Sequence, residues 1–327
     1  MKTLKTLLTI VTLITCFSFT PGLGQANQSA QPFSIETLDQ WKEEISNWGR
    51  WGKNDQLGTL NLITPQVRKE AANLVKDGIS VSLAMDLDAD SSLNNSQPLQ
   101  HTFERMGQWT MDTYCISYHG YAHSHLDAQR HIAHKGKIYN GYPEESIDQI
   151  GTGNMGVHHM KNGIFSRGIL VDMPRFKGVP YLQPGTAITI GDLEAWEKET
   201  GITVKSGDIL LIRTGRWARE KEKGKWNFVN AAAGLHASTA RWLKERDVAV
   251  LGSDGTADVL PSGNESQTHP LHQLVLIGLG MPLLDNLNLE DVAKVAADQN
   301  RWEFLLVVAP LRIIGGTGSP LNPIATF

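Results

Sequence analysis

The stretch Ser117-Tyr-His119-Gly-Tyr121-Ala-His123-Ser-His125-Leu-Asp127-Ala-Gln-Arg-His131 carries four of the chain's eleven histidines. Read as a strand over residues 118–128, its period of two puts His119, Tyr121, His123, His125 and Asp127 on one face. Imidazoles beside a carboxylate are the ligand set that a divalent metal of intermediate softness selects. Alternate residues of a strand stand roughly 7 Å apart. His125 and Asp127 can therefore converge on one ion, whereas His119 is expected to lie too far from Asp127 to share it. Ordinary core or surface histidines are the competing reading, but burying this many polar groups on one face without a partner would be costly.

Working outward, the chain alternates helix and strand signals. Residues 35–45 have helical spacing, with Trp41 and Ile45 four apart, and a glycine-punctuated loop carrying Trp48 and Trp51 follows. Thr64-Pro65 opens a second helix, expected to run to residue 76 with Gly78 just past its end. Residues 79–86 alternate as a strand, and 88–100 read as a polar surface loop. Downstream, strands are expected at 164–173, 208–214, 248–252 and 304–314, with helices at 192–200, 235–246 and 289–297. This mixed order indicates a single α/β or α+β domain. The glycine-rich tail Gly315-Gly-Thr-Gly-Ser-Pro lacks the Lys-Ser/Thr of a phosphate loop and precedes no helix, which excludes nucleotide binding there.

Lys2 and Lys5 precede an apolar run over residues 7–19, and Gly24-Gln25-Ala26 supplies a small-x-small site. Residues 1–26 are therefore expected to be a cleaved signal peptide, leaving 27–327 as the mature domain, exported to the periplasm or secreted, with no membrane attachment afterwards. Of the two cysteines, Cys16 would leave with the leader. Cys115 would then stand alone, excluding an internal disulfide, and is expected as a small apolar residue in a buried strand rather than as a nucleophile. With 30 basic against 34 acidic residues and no basic run, a nucleic-acid partner is excluded.

The run His125-Leu-Asp127-Ala-Gln129-Arg-His131 resembles the H-x-D-x-x-x-H core of the metal-dependent cyclase family, which includes bacterial kynurenine formamidases, isatin hydrolases and trans-dienelactone hydrolases. That family reads H-x-G-T-H-x-D-x-P-x-H. Here Tyr121 stands in place of the first His, His123-Ser124 in place of Gly-Thr, and Gln129 in place of Pro. His123 becomes the candidate for the displaced ligand. The resemblance extends to Gly207-Asp-Ile-Leu-Leu-Ile-Arg213-Thr-Gly215, to Val248-Ala-Val-Leu-Gly252-Ser-Asp254, and to His272 with Leu283-Leu-Asp285, where Asp285 replaces a Glu and His269 competes with His272.

It implies a single α/β domain of the swivelling β/β/α, cyclase-like type, with a central mixed sheet or barrel and flanking helices. It also implies one or two divalent ions, zinc or manganese, held by His123, His125, Asp127, His272 and Asp285. His131 is then the proton carrier, with a further metal ligand as its competing role, and homo-oligomers are common in such proteins. Trp48, Trp51 and Tyr121 are candidate substrate contacts for a flat or aromatic small molecule. The activity implied is hydrolysis of a C–N bond in a small aryl formamide or cyclic amide, or of a lactone C–O bond on the same site. A periplasmic small-carboxylate binding protein with a structural metal is the reading from another class. Serine chemistry is disfavoured, because Gly252-Ser253-Asp254-Gly255 has the wrong spacing for a nucleophile elbow.

Overall fold

Strand β5 (Ile164–Asp172) shows how the sequence builds the centre: Ile169 and Val171 face one side and Leu170 the other, all buried. Its parallel neighbours repeat the split. In β7 (Ile209–Arg213), Leu210 and Ile212 join one apolar layer while Ile209 and Leu211 join the second; in β9 (Val250–Ser253) and β10 (Leu283–Asp285), Leu251 and Leu283 oppose Val250 and Leu284. Strands buried on both faces are the mark of a parallel sheet covered by helices.

The computed structural model describes residues 28–147 and 153–327. The expected leader lies outside them. The sheet has nine strands in the order β1-β13-β11-β5-β7-β9-β10-β4-β12, where β1 is Ser80–Ser82, β4 is His125–Asp127, β11 is Glu303–Val308, β12 is Gly318–Pro320 and β13 is Ile324–Thr326. The run from β5 to β10 is parallel and the outer pairings are antiparallel, giving a curled, mixed half-barrel in a single α/β domain. Two short two-stranded sheets accompany it: β2 (Gln100–Met106) with β3 (Trp109–Cys115), and β6 (Ala187–Ile188) with β8 (Gly234–Leu235).

Helices α1 (Ile35–Ile45), α4 (Ile190–Thr200) and α6 (Thr239–Glu245) bring Leu38, Trp196 and Trp242 to one apolar layer. Helix α8 (Glu290–Gln299) brings Val292 and Ala296 to the other. The remaining helices are α2 (Pro65–Ala72), α3 (Met173–Phe176), α5 (Arg216–Lys223) and α7 (Pro270–Gln273), the last running on into a wide π-type turn, Leu274–Leu279.

Local signals explain the helix starts. Ser34 and Thr64 accept from Thr37 N and Val67 N, and Thr189 with Asp192 forms a reciprocal capping box before Gly201 ends α4 at φ +71. Helix α2 stops at Ala72, short of residue 76, because the chain beyond it is taken by the C-terminus: Asp77 N and Gly78 N both donate to Phe327 O. The strand expected over 79–86 shortens to β1, which pairs with β13; just past it Leu83 N donates to Pro323 O and Leu83 O accepts from Asn288 N, outside the ladder. The strand expected over 118–128 is likewise only β4; residues 120–123 turn before it. Cys115 is exposed at the end of β3, correcting its expected burial, because β2 and β3 form a hairpin outside the main sheet.

Candidate metal centre

β4 lies between β10 and β12, and antiparallel register sets His125 opposite Asp285 and Asp127 opposite Leu283. Leu126 points into the core while His125 and Asp127 share the other face, all three buried. Register thus joins residues far apart in the chain. His125 Nε2 is 3.4 Å from Asp127 Oδ1, and His125, Asp127 and Asp285 form one buried group of converging ligand atoms.

His272, in α7, completes this side, with Nε2 at 3.1 Å from Asp285 Oδ2 and 3.8 Å from Asp127 Oδ2. Its orientation comes from buried Asp258, which the sequence reading missed because no motif marks it. Asp258 Oδ1 accepts from Leu271 N at 2.7 Å, and its Oδ2 lies 2.6 Å from His272 Nδ1. With a proton held on Nδ1, Nε2 is the ring atom turned to the carboxylates, where it donates to Asp285 Oδ2, and a cation that displaced that proton would meet its lone pair, the usual arrangement behind a ligating imidazole. His125 is set the same way, with Nδ1 2.8 Å from His123 O.

His119 corrects the sequence-based expectation. Its Nδ1 lies 2.8 Å from Asp127 Oδ1, and it forms a second converging group with Asp127 and His131. An extended strand could not bring it so close, but the turn can. Asn286, at φ 54, donates from Nδ2 to Gly120 O at 2.8 Å and His123 O at 3.1 Å, while the Arg216 guanidinium donates to Tyr121 O and, at 2.6 Å, to Asn286 Oδ1. Two side chains from the distant half of the chain thus hold three carbonyls of the turn. Arg216 is buried between the rings of Trp217 and Phe228, at 4.1 and 4.0 Å.

His131 places Nε2 3.8 Å from Asp127 Oδ2, and its ring stacks on that of His119 at 4.0 Å. Gln129, in place of the Pro of the resembled motif, donates from Nε2 to Leu57 O and Gly280 O, both at 3.0 Å. It ties the end of the motif to Gly58, whose φ of +56 and approach to Gly280 leave no room for a side chain.

Burial and mutual charge set the protonation states. Burial pushes the His125 and His272 imidazoles down, but Asp127 raises the former and Asp285 with Asp258 raises the latter well above the usual range. Burial works to raise Asp127, yet His125 and His119 hold it well below the ordinary carboxylate range. His131 is pushed down to about 4, chiefly by burial, against the pull of Asp127. It is therefore neutral at pH 7, rather than about a quarter protonated as its ordinary value of 6.5 implies.

Whether a cation fits is answered by the orphaned atoms. Asp127 Oδ1 and Asp285 Oδ1 are buried and accept no hydrogen bond, even though His119 Nδ1 and His125 Nε2 stand 2.8 and 3.4 Å from the former. An unpaired buried carboxylate oxygen is costly, and a divalent ion removes that cost. The nitrogen-and-oxygen donor set suits a divalent ion of intermediate softness.

The other expected residues are placed elsewhere. His123 is buried with neither ring nitrogen hydrogen-bonded, and it belongs to neither converging group. His269 sits beside His272, ring centroids 5.4 Å apart, also outside both groups. Trp48 Nε1 donates to Ile277 O at 2.6 Å, and Trp51 lies under the Arg50 guanidinium at 4.7 Å; neither ring lines the cleft that Tyr121 and Ala122 border, whose walls include none of the converging ligands. Tyr121 does line that cleft, about 690 Å³ in volume, with Asp88, Arg216, Trp217 and Lys225 among its other walls. Asp254 stays out of the centre: its carboxylate accepts from Thr214 N, Gly215 N and Arg216 N and joins the ends of β7 and β9.

The sequence profile of the family described as "Putative cyclase" matches residues 81–257. A crystal structure titled as that of a novel cyclase is 32% identical and superposes with a TM-score of 0.79, covering 88% of this chain and 99% of its own. Two more distant structures share the fold. Isatin hydrolase A from Ralstonia solanacearum is 23% identical at a TM-score of 0.55, over 76% of this chain and 91% of its own. An isatin hydrolase bound to the product analogue thioisatinate is 17% identical at a TM-score of 0.55, over 79% and 94%. No curated protein matches the sequence.

Proposed function

This chain belongs to the cyclase family, and from that premise we propose that it is a metal-dependent hydrolase opening the C–N bond of a small cyclic amide or aryl formamide. The observation that carries the reading is the pair of unpaired, buried carboxylate oxygens on Asp127 and Asp285, ringed by imidazoles. The isatin hydrolases of the same fold favour a cyclic amide among the substrates considered. His119, His125, Asp127, His272 and Asp285 would hold the ion. When bound, a divalent cation there polarises a carbonyl and lowers the pKa of water.

The chain's own residues supply the rest. Asp258 and the His123 carbonyl keep the protons of His272 and His125 on Nδ1, turned from the centre. His131, neutral at pH 7 and about a quarter exposed at its side chain, accepts a proton at Nε2 from the attacking water and delivers it to the departing nitrogen. Tyr121, between the cleft and His269, supplies a flat wall for a ring. We further propose that the chain is exported, on the strength of its first 26 residues.

The test is metal content of the purified mature protein together with hydrolysis of isatin, aryl formamides and dienelactones before and after chelation. Stoichiometric metal with chelator-sensitive opening of an amide supports the reading. Turnover indifferent to metal removal defeats it. Faster opening of a lactone moves the assignment to the C–O bond.

A further inference from the structure

His269 stands beside the metal centre without a task in the fold. It holds the N-cap position of α7, yet its side chain makes no capping bond, because Asp258 already accepts from Leu271 N at 2.7 Å and His272 N at 3.3 Å. Its ring lies between those of Tyr121, at 6.3 Å and 25° from parallel, and His272, edge-on at 5.4 Å. The residue is half-buried, but Nε2 is fully buried and has no hydrogen-bond partner. A buried polar atom in that state weakens the fold, and a purely apolar ring would fill the same place without the penalty. The partner of Nε2 therefore has to come from outside the chain.

Position says what that partner is. His269 feels the charges of Asp258, Asp285 and Asp127 and sits on the His272 side of the centre. His131 flanks it from the other side, stacked on His119 and grouped with it around Asp127. Resting on the hydrolase reading, we propose that His269 binds the substrate at Nε2, through a hydrogen-bonding group on the acyl side of the scissile bond. The two histidines divide the substrate between them. His131 serves the departing nitrogen, so that nitrogen lies toward His119 and His131. The scissile carbon then carries its other substituent away from His131, toward His272 and His269. An aryl formamide has only hydrogen there, whereas a cyclic amide with a ketone next to the scissile carbonyl, such as isatin, presents an oxygen. A site built to hydrogen-bond a substrate group discriminates strongly against the analogue that lacks it. His269, backed by Tyr121, is thus a specificity residue for substrates of the second kind.

His269→Phe keeps a ring and removes both nitrogens, while His269→Gln returns an amide to the region of Nε2. Each is compared with wild type, loaded with zinc or manganese, by calorimetric titration of thioisatinate, whose ketone corresponds to the acyl-side oxygen. KM and kcat are measured alongside for isatin and N-formylaniline. His269→Phe is expected to weaken thioisatinate binding and to raise KM for isatin by about tenfold, with kcat within about threefold and KM for N-formylaniline within about twofold; His269→Gln recovers most of the loss. Metal affinity stays unchanged, and the metal-free Phe variant melts at or above the wild-type temperature, since an unpaired buried nitrogen is gone. An equal loss on both substrates, or no loss on isatin and thioisatinate, overturns the assignment. So does a fall in metal affinity, which would make His269 a ligand. In these cases the hydrolase reading stands. A wild type that neither opens isatin nor binds thioisatinate also overturns it: turnover of N-formylaniline then leaves the hydrolase reading in place, and its absence removes both together.

Discussion

Replacing Asp258 by Asn tests how the centre is held. The carboxylate bridges Leu271 N at 2.7 Å and His272 Nδ1 at 2.6 Å, so it acts as acceptor to both. An amide of the same shape has one acceptor and one donor end. If its oxygen keeps His272 Nδ1–H, its NH2 group meets Leu271 N–H, and a charge-assisted hydrogen bond worth about 1.5–3 kcal/mol is lost from the fold. If it flips, the NH2 group donates to Nδ1, the ring proton moves to Nε2, and the lone pair facing Asp285 and Asp127 disappears. Partners of this kind typically control metal affinity by about 10–100-fold, or ~1.4–2.8 kcal/mol. Competition titration of zinc or manganese against a chromophoric chelator, with thermal unfolding of the metal-free protein, measures both branches. His272→Ala is the reference for full loss of that ligand. If Asp258→Asn binds metal as tightly as wild type while His272→Ala does not, Asp258 does not orient the ligand and the reasoning fails.

Three further outcomes are expected. His119→Ala should weaken metal binding by about tenfold or more while His123→Ala changes it less than threefold; the reverse order would return the ligand to His123. Asp39, drawn down to about 2 chiefly by Lys135 and joining α1 to the chain beyond His131, contributes stability that is complete above its unfolded pKa of 3.8 and is lost as pH falls towards 2. Asp39→Asn should therefore cost about 1–2 kcal/mol at pH 6, after allowance for its partial exposure, and nearly nothing at pH 2, read from denaturant unfolding at both pH values; a gap that does not narrow would contradict the linkage. Gly318→Ala places a methyl 2.1 Å from Leu126 O at the β12–β4 pairing, and a loss of about 3 kcal/mol is expected. An unchanged melting temperature would show that β12 moves aside freely.

Sequence alone determined what depends on neighbours in the chain. The apolar runs of β5, β7 and β9 were visible because a doubly buried strand needs them, and α1 and α4 were bounded by spacing and by Gly201. His125 and Asp127 could be paired because two residues of one strand share a face whatever the rest of the fold does. Beyond that range the same rule misled: carried back to residue 118, it kept His119 away from Asp127, whereas a turn held by Asn286 and Arg216 brings the two to 2.8 Å. The hairpin left no buried stripe to read, so Cys115 was expected inside. Only tertiary structure decided that Asp285 faces His125, that Asp258 aims His272, and that burial keeps His131 neutral. Each depends on strand register or desolvation, which arise from contacts between residues far apart in the chain and leave no period in the sequence.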